Sequence, residues 1–314
     1  MNVVVLCGGV GAARFLLGIN VLIERGDNLN VTAIVNTGDD DEFYGQYVCP
    51  DIDSILYHLA GINDDVRGWG RVNETFTFVE TLRTLGVNAW FNLGDQDLAL
   101  NSLRTTALQK GTSLRDVTRD LASRLGITNI DIVPMCEEQV TTTITTKENQ
   151  TLRMQEYFVR EKCQPSIMEI SYEGAPSLCH DDARAALENA DRIIIAPSNP
   201  YLSIFPLFAI DEIDSFVRKN KQQVIAISPI IRGDSVKGPL GKIMRDLNVD
   251  VTPTGIAEIY SDYISTLILD ISDEQYCSEI NELGIATVRA NTLMDSVTSR
   301  TNLARCSIQS GRSA

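Results

Sequence analysis

Histidine is almost absent from this chain: His58 and His180 are the only two in 314 residues. That is too few for a metal centre built on imidazoles, and neither stands beside a nucleophile signature. Cations are scarce as well, with 27 Lys and Arg against 42 Asp and Glu, a formal charge of −15. A protein that holds nucleic acid by its phosphates needs clustered positive charge, so neither nucleic acid nor an anionic membrane surface is an expected partner. No apolar run approaches the roughly 18 residues of a membrane span, and the apolar opening has no basic leader, so a soluble protein is expected. None of the seven cysteines forms a C-x-x-C pair. A disulfide framework or zinc ribbon is disfavoured and a reducing cytoplasm is the expected compartment. Also missing are G-x-S-x-G, H-E-x-x-H, the kinase set and a P-loop ending in G-K-[ST].

What is present is a regular alternation of strand and helix. Asn2-Val-Val-Val-Leu-Cys7 runs into Gly8-Gly9-Val10-Gly11 and then into an apolar-periodic segment, the order of a strand–loop–helix unit. A second buried strand is expected over residues 31–36, and it empties into Thr37-Gly38-Asp39-Asp40-Asp41. Pro50 and the carboxylates after it suit the first turn of a helix, with Ile52, Ile55, Leu56 and Leu59 as its buried stripe. Asp51 and Asp53 flank that stripe in this reading. Residues 89–92 read as a short strand, 98–109 and 112–125 as helices, and 192–196 and 223–228 as further strands. Between about 129 and 160 the texture turns to β-rich alternation, with 140–146 and 152–159 as an antiparallel hairpin. The expected architecture is one Rossmann-like, doubly wound, mainly parallel α/β domain over residues 1–314, carrying that small β-rich insertion.

In such sheets ligands bind beyond the carboxyl ends of the strands, and every unusual loop of this chain falls there. The glycine turn suits phosphate binding at a helix start, although a tight structural turn needs the same glycines. It is not G-x-G-x-x-G, because Arg14 stands where the third glycine belongs, and this disfavours a nicotinamide dehydrogenase. Asp39, Asp40, Asp41, Asp51 and Asp53 lie within 15 positions. Singly they read as solvated or capping residues, with Asp41 the first to be set aside as merely solvated. Together they read as a site for Mg²⁺ or for a proton, since magnesium takes one or two carboxylates plus substrate phosphate oxygens. Asp95 and Asp97 repeat the pattern. Pro197-Ser198-Asn199-Pro200 forms a rigid polar elbow, Lys237 stands near a helix start, and Trp69 lies in a loop where a flat heterocycle could stack. His58 reads as a partly buried structural residue.

Taken in order, Cys7-Gly8-Gly9-Val10-Gly11-Ala12-Ala13-Arg14, Val35-Asn36-Thr37-Gly38-Asp39-Asp40, Cys49-Pro50-Asp51-Ile52-Asp53-Ser54, Gly68-Trp69-Gly70, Leu93-Gly94-Asp95-Gln96-Asp97, Ala196-Pro197-Ser198-Asn199-Pro200 and Ser228-Pro229 resemble the 2-phospho-L-lactate transferase family (CofD, called FbiA in actinobacteria). The resemblance implies a step of coenzyme F420 biosynthesis. A phospholactyl-type group passes from a guanosine diphosphate-linked donor to the ribityl hydroxyl of the deazaflavin Fo, GMP leaves, and Mg²⁺ assists. It further implies donor contacts at Gly8, Gly9, Val10, Gly11, Ser198, Asn199 and Pro200, catalytic carboxylates at Asp39, Asp40 and Asp53, and an Fo contact at Asp53. Asn36, Asn92, Asp95, Asp97 and Lys237 complete the expected substrate contacts, and Asp39 and Asp51 the expected metal ligands. Gln96 stands where the family usually has arginine, and Asn92 where archaeal members are often basic, which leaves lactyl, enolpyruvyl and glyceryl donors open. The alternative is a nucleotide-sugar-binding regulatory protein similar to the CofD-like gluconeogenesis factors. Oligomeric state is not legible in the sequence, and a homodimer is left open.

Overall fold

The computed structural model describes residues 1–236 and 238–310. Its centre is an all-parallel sheet of seven strands: β1 (Asn2–Cys7), β2 (Asn30–Val35), β5 (Ile130–Pro134), β9 (Arg192–Ile195), β10 (Val224–Ile227), β11 (Thr266–Asp270) and β12 (Ala286–Ala290), in the order β12-β11-β10-β9-β1-β2-β5. The expected doubly wound α/β architecture is present. Its strands are near-continuous apolar runs because both faces are covered. Val4, Leu6, Ile34, Ile193 and Ile195 enter the core on one side, while Val3, Val5, Ala33, Val35 and Ile194 enter the other.

The chain leaves β1 for β2 and β5 on one side and later returns to β9 on the other. The strand order therefore reverses between β1 and β9, which opens a crevice at their carboxyl ends. Helix α1 (Gly9–Glu24) begins in that crevice. The loop after β9 closes on it: Ser198 Oγ donates to the Gly8 carbonyl at 2.7 Å, and a Cβ on Gly11 would collide with the Pro197 carbonyl oxygen. Gly11→Ala is accordingly expected to force the two loops apart at about 1–3 kcal/mol; an unchanged urea midpoint would contradict this close docking.

Sequence and structure differ in three segments. Ile130–Pro134 is not part of the insertion, because it pairs parallel to β2 at the edge of the central sheet. The antiparallel insertion comprises β6 (Thr141–Thr146), β7 (Thr151–Arg153) and β8 (Ile167–Glu173) in the order β7-β6-β8, so it extends past residue 160. The hairpin's second strand ends at Arg153 and the chain turns helical over Glu156–Arg160, where Tyr157 is buried as a core residue. Residues 89–92 form no strand. No neighbouring strand is offered to them, and their aromatic side chains pack instead on a small hairpin of β3 (Asp41–Phe43) and β4 (Gln46–Val48), with the rings of Phe43 and Phe91 stacked at 3.7 Å. Among the described residues no helix is long and apolar enough to cross a membrane.

Candidate functional site

Asn36, the residue after β2, organises the acidic loops. Its side-chain oxygen accepts from Gly38 N at 2.7 Å, which sets the turn, and its Nδ2 donates to Asp51 Oδ2 at 2.9 Å, to the Leu202 carbonyl at 3.2 Å and to Asp39 Oδ1 at 3.5 Å. Asp51 stands in the first turn of α2 (Pro50–Leu59), whose amino end is buried together with its carboxylates. Asp51 and Asp53 therefore do not merely flank a buried stripe. Asp39 receives a second amide, Gln155 Nε2 at 3.3 Å, from the insertion. Burial pushes the Asp51 carboxyl up to about 6 against the opposing pull of the Asn36 and Gly9 donors. Burial, reinforced by Asp51 and Asp40, raises Asp39 well above the usual carboxylate range.

Asp40 is 3% exposed, and neither of its oxygens has a formed hydrogen bond. The Cys49 thiol and the Tyr47 hydroxyl stand near it in loose geometry, and burial outweighs them, raising its carboxyl well above the usual range. Asp53 is quite different. Arg104, fully buried on α4 (Asp95–Gln109), grips it with two nitrogens, Nη1 at 3.1 Å from Oδ2 and Nη2 on Oδ1. Arg104 Nη1 also donates to Asn101 Oδ1 at 2.5 Å. Asp41 is not solvated: it is buried and ion-paired with Arg153 of the insertion. His58 is buried with Nδ1 against the Ser54 carbonyl at 2.7 Å, and burial lowers its pKa.

The loops at β1 and β9 are partly self-satisfied. A Cβ on Gly8 would collide with the Asp51 carboxylate and stand 2.8 Å from Ser203 Cβ, so Gly8 is required by protein packing. Gly9 adopts φ +69° with its nearest neighbours, Asp51 Oδ1 and Ser203 Oγ, at 3.6 and 3.7 Å, and it needs glycine for its turn. Asn199 Oδ1 accepts from Tyr201 N at 3.0 Å and Leu202 N at 3.3 Å, capping the helical turn Pro200–Ile204. What remains open to a ligand is the first turn of α1, where the amides of Val10 and Gly11 have no partner within the helix.

The second Asp-x-Asp pair divides. Asp95 accepts from Thr75 Oγ1 at 2.6 Å, Phe78 N at 3.0 Å and Thr77 N at 3.1 Å, so it starts helix α3 (Thr77–Thr84); Thr75 and Phe78 hold its carboxyl below the usual range. Asn92 is exposed and accepts from Arg83 Nη2 at 2.8 Å. Both expected substrate contacts are thus engaged by the protein itself. In return Glu74 takes Gln96 N at 2.7 Å and Asp97 N at 3.1 Å at the start of α4, and Gln96 Nε2 donates to the Asn73 carbonyl at 2.8 Å. Asp97 is 7% exposed and pushed up to about 6 by burial, against the relief offered by Tyr57. Lys237, the expected phosphate partner, lies outside the described residues.

Sequence reasoning missed Arg104, Gln155, Glu74 and Ser203. Arg104 had a signal, since Asp97, Leu100, Asn101 and Arg104 form the buried i, i+3, i+4, i+7 stripe of α4, and three polar groups in such a stripe mark a functional interior. The others reach the site through tertiary contacts that no local pattern announces. Taken together, Asp39, Asp40, Asp51 and Asp53 face one buried cation, Arg104, which is committed to Asp53. A hard divalent ion matches that imbalance and the all-oxygen donor set of Asp39 and Asp51, and magnesium asks for only one or two carboxylates. Among the described residues no group of three or more His, Cys, Asp or Glu side chains is arranged to hold a metal by itself.

A doubly wound α/β fold with buried carboxylates gathered at its topological switch point defines the class: an α/β protein whose ligand crevice lies at the carboxyl ends of its strands. The family model described as 2-phospho-L-lactate transferase CofD matches residues 3–303. A 2-phospho-L-lactate transferase of Methanopyrus kandleri is 36% identical over 307 residues, covering 97% of this chain and 96% of its own. A phosphoenolpyruvate transferase of Kitasatospora aureofaciens is 34% identical over 319 residues, covering 98% and 97%. The crystal structure of a UPF0052 family member from Bacillus halodurans has the same fold, with a TM-score of 0.63 over 98% of both chains at 14% identity. The chain belongs to the 2-phospho-L-lactate transferase family CofD.

Proposed function

We propose that this protein transfers a phospholactyl-type group (phospholactate, phosphoenolpyruvate or phosphoglycerate) from a guanosine diphosphate-linked donor to the terminal ribityl hydroxyl of Fo, releasing GMP, in coenzyme F420 biosynthesis. The observation that carries this reading is Asp40, a buried carboxylate with two unpartnered oxygens beside two others that share one amide. Such a group is unfavourable in a protein that does not use it.

In this reaction the acceptor oxygen forms a bond to the donor phosphorus while the bond from that phosphorus to GMP breaks. The hydroxyl proton must go to a base, and Asp40, a carboxylate made more basic by burial, has the free oxygens for it. The Val10 and Gly11 amides at the α1 amino end bind the pyrophosphate. Asp39 and Asp51 are the residues that would hold Mg²⁺, which would supply charge neutralisation at the phosphate oxygens. Asp53, fixed by Arg104, offers the ribityl chain an acceptor in one orientation.

Purified protein incubated with Fo, Mg²⁺ and each guanosine diphosphate-linked donor in turn is expected to release GMP with at least one of them. Failure with all of them, with retained binding of a nucleotide sugar, would favour the regulatory binding protein instead.

A further inference from the structure

Beside the acidic pocket, around the loop that holds Gly68-Trp69-Gly70, four polar atoms are buried without a hydrogen-bond partner: Asp97 Oδ1, Tyr57 OH, Arg67 Nη1 and Arg71 Nε. They are neighbours. Asp97 Oδ2 and Arg67 Nη1 each lie 3.5 Å from the point where a Cβ on Gly70 would stand. The Arg71 guanidinium is 5.8 Å from the Tyr57 ring centroid, and the Tyr57 hydroxyl stands by the Asp97 carboxylate in loose geometry, short of a formed hydrogen bond. Asp97 and Tyr57 are 7% and 3% exposed. Buried polar groups in a folded protein are ordinarily paired, and leaving one unpaired is unfavourable. Four together ask for a molecule that satisfies them.

Their chemistry specifies that molecule. A carboxylate accepts and guanidinium groups only donate, so the ligand must present a donor with acceptors beside it. An imide edge, one N–H between two carbonyls, has that pattern. Gly70 has φ +69° and no side chain, and a Cβ there would already stand in van der Waals contact with both Asp97 and Arg67. Trp69, 41% exposed in the same loop, offers a flat surface to a ring. Its neighbour Arg67 is clamped in place, with its guanidinium 5.0 Å from the Trp69 ring and 5.1 Å from Phe76, and Nη2 donating to Asp64 at 2.9 Å. The Nη1 edge is therefore presented in a fixed direction.

We propose that Asp97, flanked by Arg67 and Arg71, reads the imide edge of the planar heterocycle in the acceptor substrate, Asp97 accepting from the imide N–H and the arginines donating to its carbonyls. These are specificity residues for the acceptor, and the assignment rests on the Fo reading above. Asp97 thereby differs in role from Asp95, two positions earlier, which only starts a helix.

The test uses Fo, followed by its own fluorescence, and its derivative methylated on the imide nitrogen, each titrated into the full-length protein. Wild type is expected to bind the methylated compound at least about tenfold more weakly, as a site built around a hydrogen bond rejects an analogue that lacks it. In Asp97→Ala that discrimination disappears. In Arg67→Ala, whose side chain is partly exposed and whose loss spares the core, affinity for Fo falls about tenfold while the preference for the unmethylated ring persists. Equal affinity of the wild type for both compounds, with GMP still released from the donor, overturns this assignment alone. Absence of Fo binding by the wild type overturns both this assignment and the acceptor reading on which it rests.

Discussion

Asp40→Asn will melt higher than the wild type at pH 8 and turn over about 100-fold more slowly, the usual scale for loss of a positioned proton acceptor. The two effects have one origin. Asp40 is buried and unpartnered, and Asp53 and Asp51 add to the burial that raises its carboxyl above 3.8, against the smaller pulls of Cys49 and Arg104. Because the folded state holds this proton more tightly than the unfolded chain, the contribution is favourable at low pH and is lost as pH rises from about 3.8 through the folded value. Asparagine removes the loss, so its advantage in melting temperature should vanish near pH 4 and widen towards pH 8. Calorimetry across that range in the presence of a chelator measures it. Equal melting temperatures at pH 8 would mean that Asp40 is solvated or paired after all, and unchanged turnover would remove it from the chemistry.

Arg104→Met is expected to lose about 3–5 kcal/mol of stability, the scale for leaving one partner of a buried ion pair uncompensated. Arg104 is fully buried and Asp53 is 6% exposed, so neither can turn to water when the other is removed. Asp53→Asn should destabilise for the same reason. Combining Arg104→Met with Asp53→Leu should recover most of the loss, because an apolar pair of similar volume replaces two charges. Urea unfolding of the single and double variants reads this coupling directly. Single variants within about 1 kcal/mol of wild type would show that the pair behaves as a surface salt bridge.

The central strands were legible because parallel strands covered on both faces are written as unbroken β-branched runs, such as Val3-Val4-Val5 and Ile193-Ile194-Ile195. The place of the site followed from topology, since Asp39, Asp40 and the glycine turn all sit at carboxyl ends of strands. Roles were harder to read. Asp53 and Asp95 look alike in sequence, yet one is locked to an arginine of another helix and the other caps a neighbouring segment. Gly8 and Gly11, which suggest room for phosphate, are small chiefly because Asp51 and Pro197 press against them. Residues 152–159 alternate like a strand, but Tyr157 is drawn into the core and the chain bends into a helical turn. Each misreading arises where tertiary packing overrides a local pattern.

In the proposed mechanism, carboxylates and helix-start amides from distant loops form one phosphoryl-transfer pocket between β1 and β9. A crystal structure with Mg²⁺, Fo and a nonreactive guanosine diphosphate-linked analogue tests it most directly. The metal is expected on Asp39 and Asp51, the pyrophosphate on the α1 amino end, and the ribityl hydroxyl within reach of Asp40. A nucleotide bound away from α1, or an Fo whose hydroxyl faces none of these carboxylates, would contradict it.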